Sequence, residues 1–267
     1  MKITILTAAF NPGSVLGDCL ASVAEQRLPE SVQVDHFVLD GGSSDGTIDI
    51  LRAWGDSGPG RRYRSEPDGG FYEALNTGIQ VADGDIVGIL NADDFYFDDL
   101  VLARVAEAFS KPGVEGVYGD LVYVKGEGNL AVGRPAARIQ IKRFWKSGNY
   151  CCRNFWWGWM PPHPTVFVRR EVYERYGAFR TDFGSAADYE WMLRVMVGGQ
   201  VPFHYIPHVQ VAMRVGGMSN RSLAVRLAAN RNDRRAWTVN GLTPLPWTFL
   251  LKPLRKLPQW FARLPCA

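Results

Sequence analysis

Four polar clusters hold the residues of this 267-residue chain best suited to chemistry, and the sharpest is Leu90-Asn91-Ala92-Asp93-Asp94. It closes the apolar run Ile86-Val87-Gly88-Ile89, which places two adjacent carboxylates at the end of a buried strand. Carboxylates so placed repel each other, and a cation relieves the repulsion. Mg²⁺ or Mn²⁺ suits the position, because hard divalent ions take carboxylate oxygens and share their coordination with phosphates. The plainer alternative is that Asp94 caps a helix beginning near Asp98.

The other clusters are Thr7-Ala8-Ala9-Phe10-Asn11, Asp40-Gly41-Gly42-Ser43-Ser44-Asp45-Gly46-Thr47, and Glu66-Pro67-Asp68-Gly69-Gly70, the last leading into a segment with Asn76 and Gly78. Glycines let the backbone approach a ligand closely, and Asp40 is placed to accept a hydrogen bond from a base or ribose. A Gly-rich turn capped by Ser44 or Asp45 is the alternative. Neither Gly-x-Gly-x-x-Gly nor a loop ending in Gly-Lys-Ser/Thr occurs there, so the nicotinamide and ATP signatures are missing.

Each cluster follows an expected strand. Strands are expected at residues 2–10, 34–39, 61–65, 85–90 and 114–118, and helices at 15–26, 47–54, 71–82 and 98–109, with Ser14 as a cap for the first. Apolar strands alternating with helices predict an α/β fold with a mostly parallel central sheet flanked by helices. Ligands of such sheets sit at the carboxyl ends of the strands. The second half is less regular: a hairpin over 121–133, an aromatic and proline-rich excursion over 144–164, helices at 170–176 and 186–196, extended chain over 201–213, and a basic helix over 222–237. No internal repeat or low-complexity segment occurs.

The formal net charge of +3 is unevenly distributed. Residues 214–267 carry ten Lys or Arg against one acidic residue, Asp233, for a net +9, and the rest of the chain carries −6. A basic tail on an acidic body points to an anionic surface, with a solvated basic face as the alternative. Cys19, Cys151, Cys152 and Cys266 form neither a zinc pattern nor a disulfide framework and are expected as reduced thiols in a cytoplasmic protein. The first residues are expected to form a strand and not a signal peptide, and no apolar stretch is long enough to span a membrane.

Taken together, Ile5-Leu6-Thr7-Ala8-Ala9-Phe10-Asn11, residues 40–47, Glu66-Pro67-Asp68-Gly69-Gly70 through Gly78, Gly84-Asp85 leading into Asn91-Ala92-Asp93-Asp94, Pro162-His163-Pro164-Thr165 and Ala187-Asp188-Tyr189-Glu190-Trp191 resemble glycosyltransferase family 2 over about residues 3–220. The resemblance implies a GT-A fold and an inverting, metal-dependent transfer from a nucleotide-sugar donor, UDP-sugar favoured and GDP-sugar the alternative. Thr7, Ala9, Asp40 and Asp68 would then line the nucleoside pocket, with Asn11, Asn76, Asn91 and Ala92 also among the donor-binding residues. Asp93 would hold Mn²⁺ or Mg²⁺ against the pyrophosphate, and Asp188 would be the catalytic base. Glu190 is a candidate partner or substitute.

Departures from the family pattern are specific. Asn91 stands where many relatives carry aspartate. The segment Arg214-Val215-Gly216-Gly217-Met218-Ser219-Asn220 has no histidine, which leaves a third metal ligand unassigned. Its glycines suit a closing loop with Arg214 near phosphate. The Gln-x-x-Arg-Trp motif of processive relatives is absent, so a single sugar is expected per turnover. His163 and His204 are expected as ordinary partly buried histidines.

Phe155-Trp156-Trp157-Gly158-Trp159-Met160 is expected either to face an acceptor or to pack in the core. Apolar and basic residues mixed over 247–264 suit the headgroup region of an anionic membrane, and a subunit contact such as a homodimer is the alternative. The expected organisation is a transferase domain over 1–220, with halves 1–120 and 121–220, and a basic extension over 221–267. Expected partners are the donor, a saccharide or lipid-linked acceptor and the inner face of the plasma membrane, and no nucleic acid. A sugar nucleotidyltransferase and a non-catalytic membrane-docked binding subunit are the rival readings.

Overall fold

A computed structural model describes residues 1–126, 139–216 and 223–260. The first half alternates as expected: β1 (Lys2–Ala9), α1 (Leu16–Ala24), β2 (Gln33–Asp40), α2 (Thr47–Gly55), β3 (Arg61–Ser65), α3 (Phe71–Val81), β4 (Ile86–Ile89), β5 (Phe95–Tyr96) and α4 (Val101–Phe109). Seven of the eight residues of β1 are buried, as a strand covered on both faces requires. Ser14 does not cap α1; it lies inside a 3₁₀ turn, Gly13–Val15, that precedes the helix.

The second half comprises β6 (Gly116–Lys125), β7 (Gln140–Trp145), β8 (Phe167–Arg169), α5 (Arg170–Tyr176), α6 (Ala187–Met192), β9 (Phe203–Arg214), α7 (Leu223–Val239) and α8 (Thr248–Leu254). The expected strand at 114–118 and the first arm of the expected hairpin are one strand, β6. It pairs antiparallel with β7, and the connection between them lies outside the described residues.

Among the described residues, all nine strands share one sheet in the order β3-β2-β1-β4-β8-β6-β9-β5, with β7 on β6. The pairs β1–β2, β1–β4 and β2–β3 are parallel, which brings the ends of β1, β2 and β4 to one edge. Three-residue β8 then enters antiparallel between β4 and β6, so the parallel expectation holds for the first half and gives way to mixed pairing in the second. Helix α3 lies close on the sheet because Gly78 has no side chain. A Cβ there would stand 2.9 Å from Leu39 and 3.0 Å from Leu6.

His36 is buried in the middle of β2, and its Nε2 lies 2.9 Å from Thr7 Oγ1. Burial pushes the imidazole pKa down from 6.5 to about 3. The unfolded chain therefore takes up this proton first on acidification, so stability is present above pH 6.5 and is lost as pH falls toward 3. Between pH 7 and pH 5 the loss is about 2 kcal/mol. Thermal melts of the wild type and His36→Gln are expected to converge on acidification by this amount.

Candidate active site

The first two polar loops are laced together at the ends of β1 and β2. Gly41 N–H donates to Ala9 O (2.9 Å), Ser43 Oγ accepts from Asn11 N–H (2.8 Å), and Asn11 Oδ1 accepts from Ser44 N–H (2.8 Å). Asn11 holds φ of +48°, a left-handed conformation that asparagine tolerates. Asp40 is buried and accepts from Ser43 N–H (3.1 Å) and from the hydroxyls of Ser43 and Ser65 (2.6 Å for Ser65). Asp68 caps Gly70 N–H at 2.8 Å, and its carboxylate lies where a Gly41 side chain would be, 3.2 Å from that Cβ position. Glycine at 41 thus lets the loops carrying Asp40 and Asp68 meet. Thr7 differs from the other loop residues: its hydroxyl points inward to His36 and Cys19, so any part it takes in a ligand pocket is through its backbone.

Asp94 does not cap α4. Its carboxyl is fully buried and accepts from Asn91 Nδ2 (2.7 Å) and Arg214 N–H (2.9 Å). Burial, with the neighbouring Asp93 charge, pushes its pKa up to about 8. Burial also raises the pKa of half-buried Asp93. Arg214, at the end of β9, grips this corner: its guanidinium donates to Asp93 O (2.8 Å), pairs with Asp18 on α1 and lies 4.8 Å over the Phe95 ring. Arg214 thereby clamps α1 to the segment that follows β4.

Asp94 spends its oxygens internally, which leaves Asp93 as the carboxylate available to an ion. Among the described residues no group of three His, Cys, Asp or Glu could hold a metal by itself. A single carboxylate at a desolvated strand end still fits Mg²⁺ or Mn²⁺ when phosphate oxygens and water complete the shell.

The second corner forms around α6. Asp188 is half-buried in the first turn of that helix, not on the outer surface. The Tyr72 side chain, on the first turn of α3, lies within electrostatic reach of Asp188. Burial and the Asp188 charge hold the Tyr72 pKa well above its ordinary value. His163 lies within electrostatic reach of Asp188, and burial lowers its pKa. The loop before α3 therefore places Asp68 at one corner, and the first turn of the helix presents Tyr72 to the other. Tyr72 belongs to the motif segment that ends at Gly78, and only the fold brings it to Asp188.

Two expected roles change. Asn76 turns away from the donor loops and clamps one backbone unit, donating to Phe179 O (2.8 Å) and accepting from Phe179 N–H (2.9 Å). Glu190 is fully buried and bound to Arg194 (2.8 Å), Arg180 (3.3 Å) and Asn240 (3.1 Å), which leaves it no freedom to act as a base. Glu190→Ala strands Arg194 in a dry site and is expected to cost about 3 kcal/mol, read as a lower melting temperature.

The family model described as glycosyl transferase family 2 matches residues 4–177. An uncharacterised glycosyltransferase of Mycobacterium tuberculosis is 33% identical over 195 residues, covering 72% of this chain and 68% of the relative. The chain belongs to glycosyl transferase family 2. As a family 2 glycosyltransferase it is a transferase enzyme, and its curled central sheet flanked by helices is the GT-A arrangement. Among solved structures, Staphylococcus aureus TarS residues 1–349 with UDP-GlcNAc matches at a TM-score of 0.67 and 15% identity, over 90% of this chain and 65% of that one. The mannosyltransferase PcManGT of Pyrobaculum calidifontis with GDP-Man and Mn²⁺ matches at 0.62 and 20% identity, over 94% of this chain and 67% of that one. The full TarS chain is longer, and this chain covers 39% of it.

Within this family 2 fold the aromatic excursion is mainly core: Phe155 and Trp159 are buried, and only Trp157 is well exposed. Among the described residues no helix is long and apolar enough to cross a membrane. Cys19, Cys151 and Cys152 are free thiols, and Cys266 lies outside the described residues.

Proposed function

We propose that this glycosyltransferase is inverting and moves one sugar from a nucleoside-diphosphate sugar, UDP-sugar favoured over GDP-sugar, to a hydroxyl of a saccharide or lipid-linked saccharide. The setting is surface polysaccharide assembly at the cytoplasmic face of the membrane. The observation that carries the reading is the half-buried Asp188 beside Tyr72, which stands on the same helix whose preceding loop brings Asp68 to the donor side.

Asp188 takes the proton of the acceptor hydroxyl as that oxygen attacks the anomeric carbon. Tyr72 holds the carboxylate in position, and neutral His163 adds no competing cation. Loops 7–11 and 40–47, with Asp68, hold the nucleoside, while Arg214 fixes the backbone that carries Asp93. A divalent ion on Asp93 would neutralise the departing diphosphate, and the donor set described above fits that role. Support comes from the UDP-GlcNAc bound to TarS and the GDP-Man and Mn²⁺ bound to PcManGT.

Purified protein, a donor panel and Mn²⁺ test the reading. Nucleoside diphosphate release that depends on acceptor supports it. Pyrophosphate release would assign a nucleotidyltransferase, and donor binding without turnover over a broad acceptor panel would assign a non-catalytic subunit.

A further inference from the structure

The C-terminal segment carries a surface that the transfer reaction does not use. Trp247, Leu250 and Leu254 follow one another at spacings of three and four, which puts them on one face of α8 from its N-cap to its last residue, and Leu257 lies in the turn just beyond its end. All four face outward, with exposures of 42%, 68%, 52% and 56%, unusual for large apolar side chains so closely grouped. Trp157, from a 3₁₀ turn nearly a hundred residues earlier, extends the patch, its ring centroid 5.8 Å from that of Trp247.

Helix α8 is held firmly by its other face, so this exposure is built in. Thr248 is buried and its hydroxyl donates to Trp156 O at 2.7 Å. Lys252 pairs with Asp233 at 2.6 Å and lies 3.5 Å over the Tyr189 ring. Gly158, at φ +74°, admits the α8 backbone, since a Cβ there would stand 2.4 Å from Lys252 N.

Charge identifies the occupant. Exposed Arg255 donates to Trp157 O at 2.9 Å, exposed Arg153 lines the same cleft as Trp157, exposed Lys256 stands in sequence between Leu254 and Leu257, and no acidic residue follows Asp233 in the sequence. A second copy of the chain packed on this face about a twofold axis would set the basic rim against itself. An anionic bilayer accepts all three features together: leucines in the acyl boundary, tryptophans at headgroup level, and cations against phosphate.

We propose that the face formed by Trp157, Trp247, Leu250, Leu254 and Leu257 docks on the anionic surface of a phospholipid bilayer. The proposal deepens the reading of a membrane-borne acceptor and rests on it for its purpose. Lys252 of α8 lies over the ring of Tyr189, the neighbour of Asp188 on α6, so the docking helix packs on the element that carries the proposed base.

Cosedimentation of the full chain with vesicles of phosphatidylcholine, with and without phosphatidylglycerol, tests the contact without turnover. Binding is expected only with phosphatidylglycerol, with a blue shift of tryptophan emission and a loss of about tenfold or more in about 0.5 M salt. The double variant Leu250→Ser, Leu254→Ser is expected to bind on the order of a hundredfold more weakly, with melting temperature and turnover on a soluble acceptor unchanged. Arg153→Glu, on a separate segment, is expected to weaken binding several-fold. Equal binding to both vesicle types, no binding to either, or undiminished binding by the double variant overturns the proposal. So does a dimer that the double variant converts to monomer in light scattering. Vesicle binding without sugar transfer would sink the transferase reading and leave the contact standing, and transfer without vesicle binding would do the reverse.

Discussion

Asp188→Asn is expected to cut acceptor-dependent nucleoside diphosphate release by on the order of a thousandfold, while donor binding and melting temperature hold near wild type. A positioned general base contributes roughly 10² to 10⁴ in rate, and asparagine keeps the shape of the side chain without its basicity. A thousandfold corresponds to about 4 kcal/mol in the barrier. Retained stability is expected because Asp188 is only half-buried and lies in the first turn of α6, where asparagine is tolerated. Tyr72→Phe serves as the graded companion. It removes the hydroxyl proposed to orient Asp188 but not the base, so kcat is expected to fall about tenfold with KM for the donor unchanged. Glu190→Ala separates chemistry from folding, since any activity it loses should track its lost melting temperature. If Asp188→Asn retained near wild-type release, the base would have to be sought elsewhere.

The donor half was legible in the sequence because its strands are local objects. Residues 86–89 and 2–9 are apolar runs that stop at polar loops, and both boundaries fall within a residue or two of those expected. Where a parallel sheet puts its ligands then follows from geometry alone. The acceptor half was less legible for a topological reason. β8 is three residues long, too short to show a period, yet its antiparallel place between β4 and β6 is what turns that half to mixed pairing. Single side chains show the same limit. Asn76 belongs to a motif segment, but its partner is the backbone of Phe179, over a hundred residues away. Arg214 pairs with Asp18, nearly two hundred residues distant in sequence, a partner that spacing along the chain does not show. In the tail, the mixture of apolar and basic residues was visible, but which face it presents was not. Lys252 turns inward to Asp233 and Phe249 packs beneath Arg234, while Trp157 joins from another segment.

Asp93→Ala is expected to move activity and stability in opposite directions. With Mn²⁺ present, release should fall by about a thousandfold or more, because neutralising the departing diphosphate is a large part of the barrier and Asp93 is the carboxylate free to carry the ion. Without ligand, the variant should melt slightly higher than the wild type, by the equivalent of about 1 kcal/mol, since two adjacent desolvated carboxyls no longer oppose each other. The wild type resolves the same conflict by binding: a metal and nucleotide present at a hundred times Kd stabilise the native state by about 2.7 kcal/mol. That shift should be absent from Asp93→Ala. Asp94→Asn gives the contrasting case. Its oxygens are already committed to Asn91 and the backbone of Arg214, so the variant should keep most of the metal-dependent shift. An Asp94→Asn variant that lost the shift while Asp93→Ala kept it would transfer the ion to the buried carboxyl and break the assignment of Asp93.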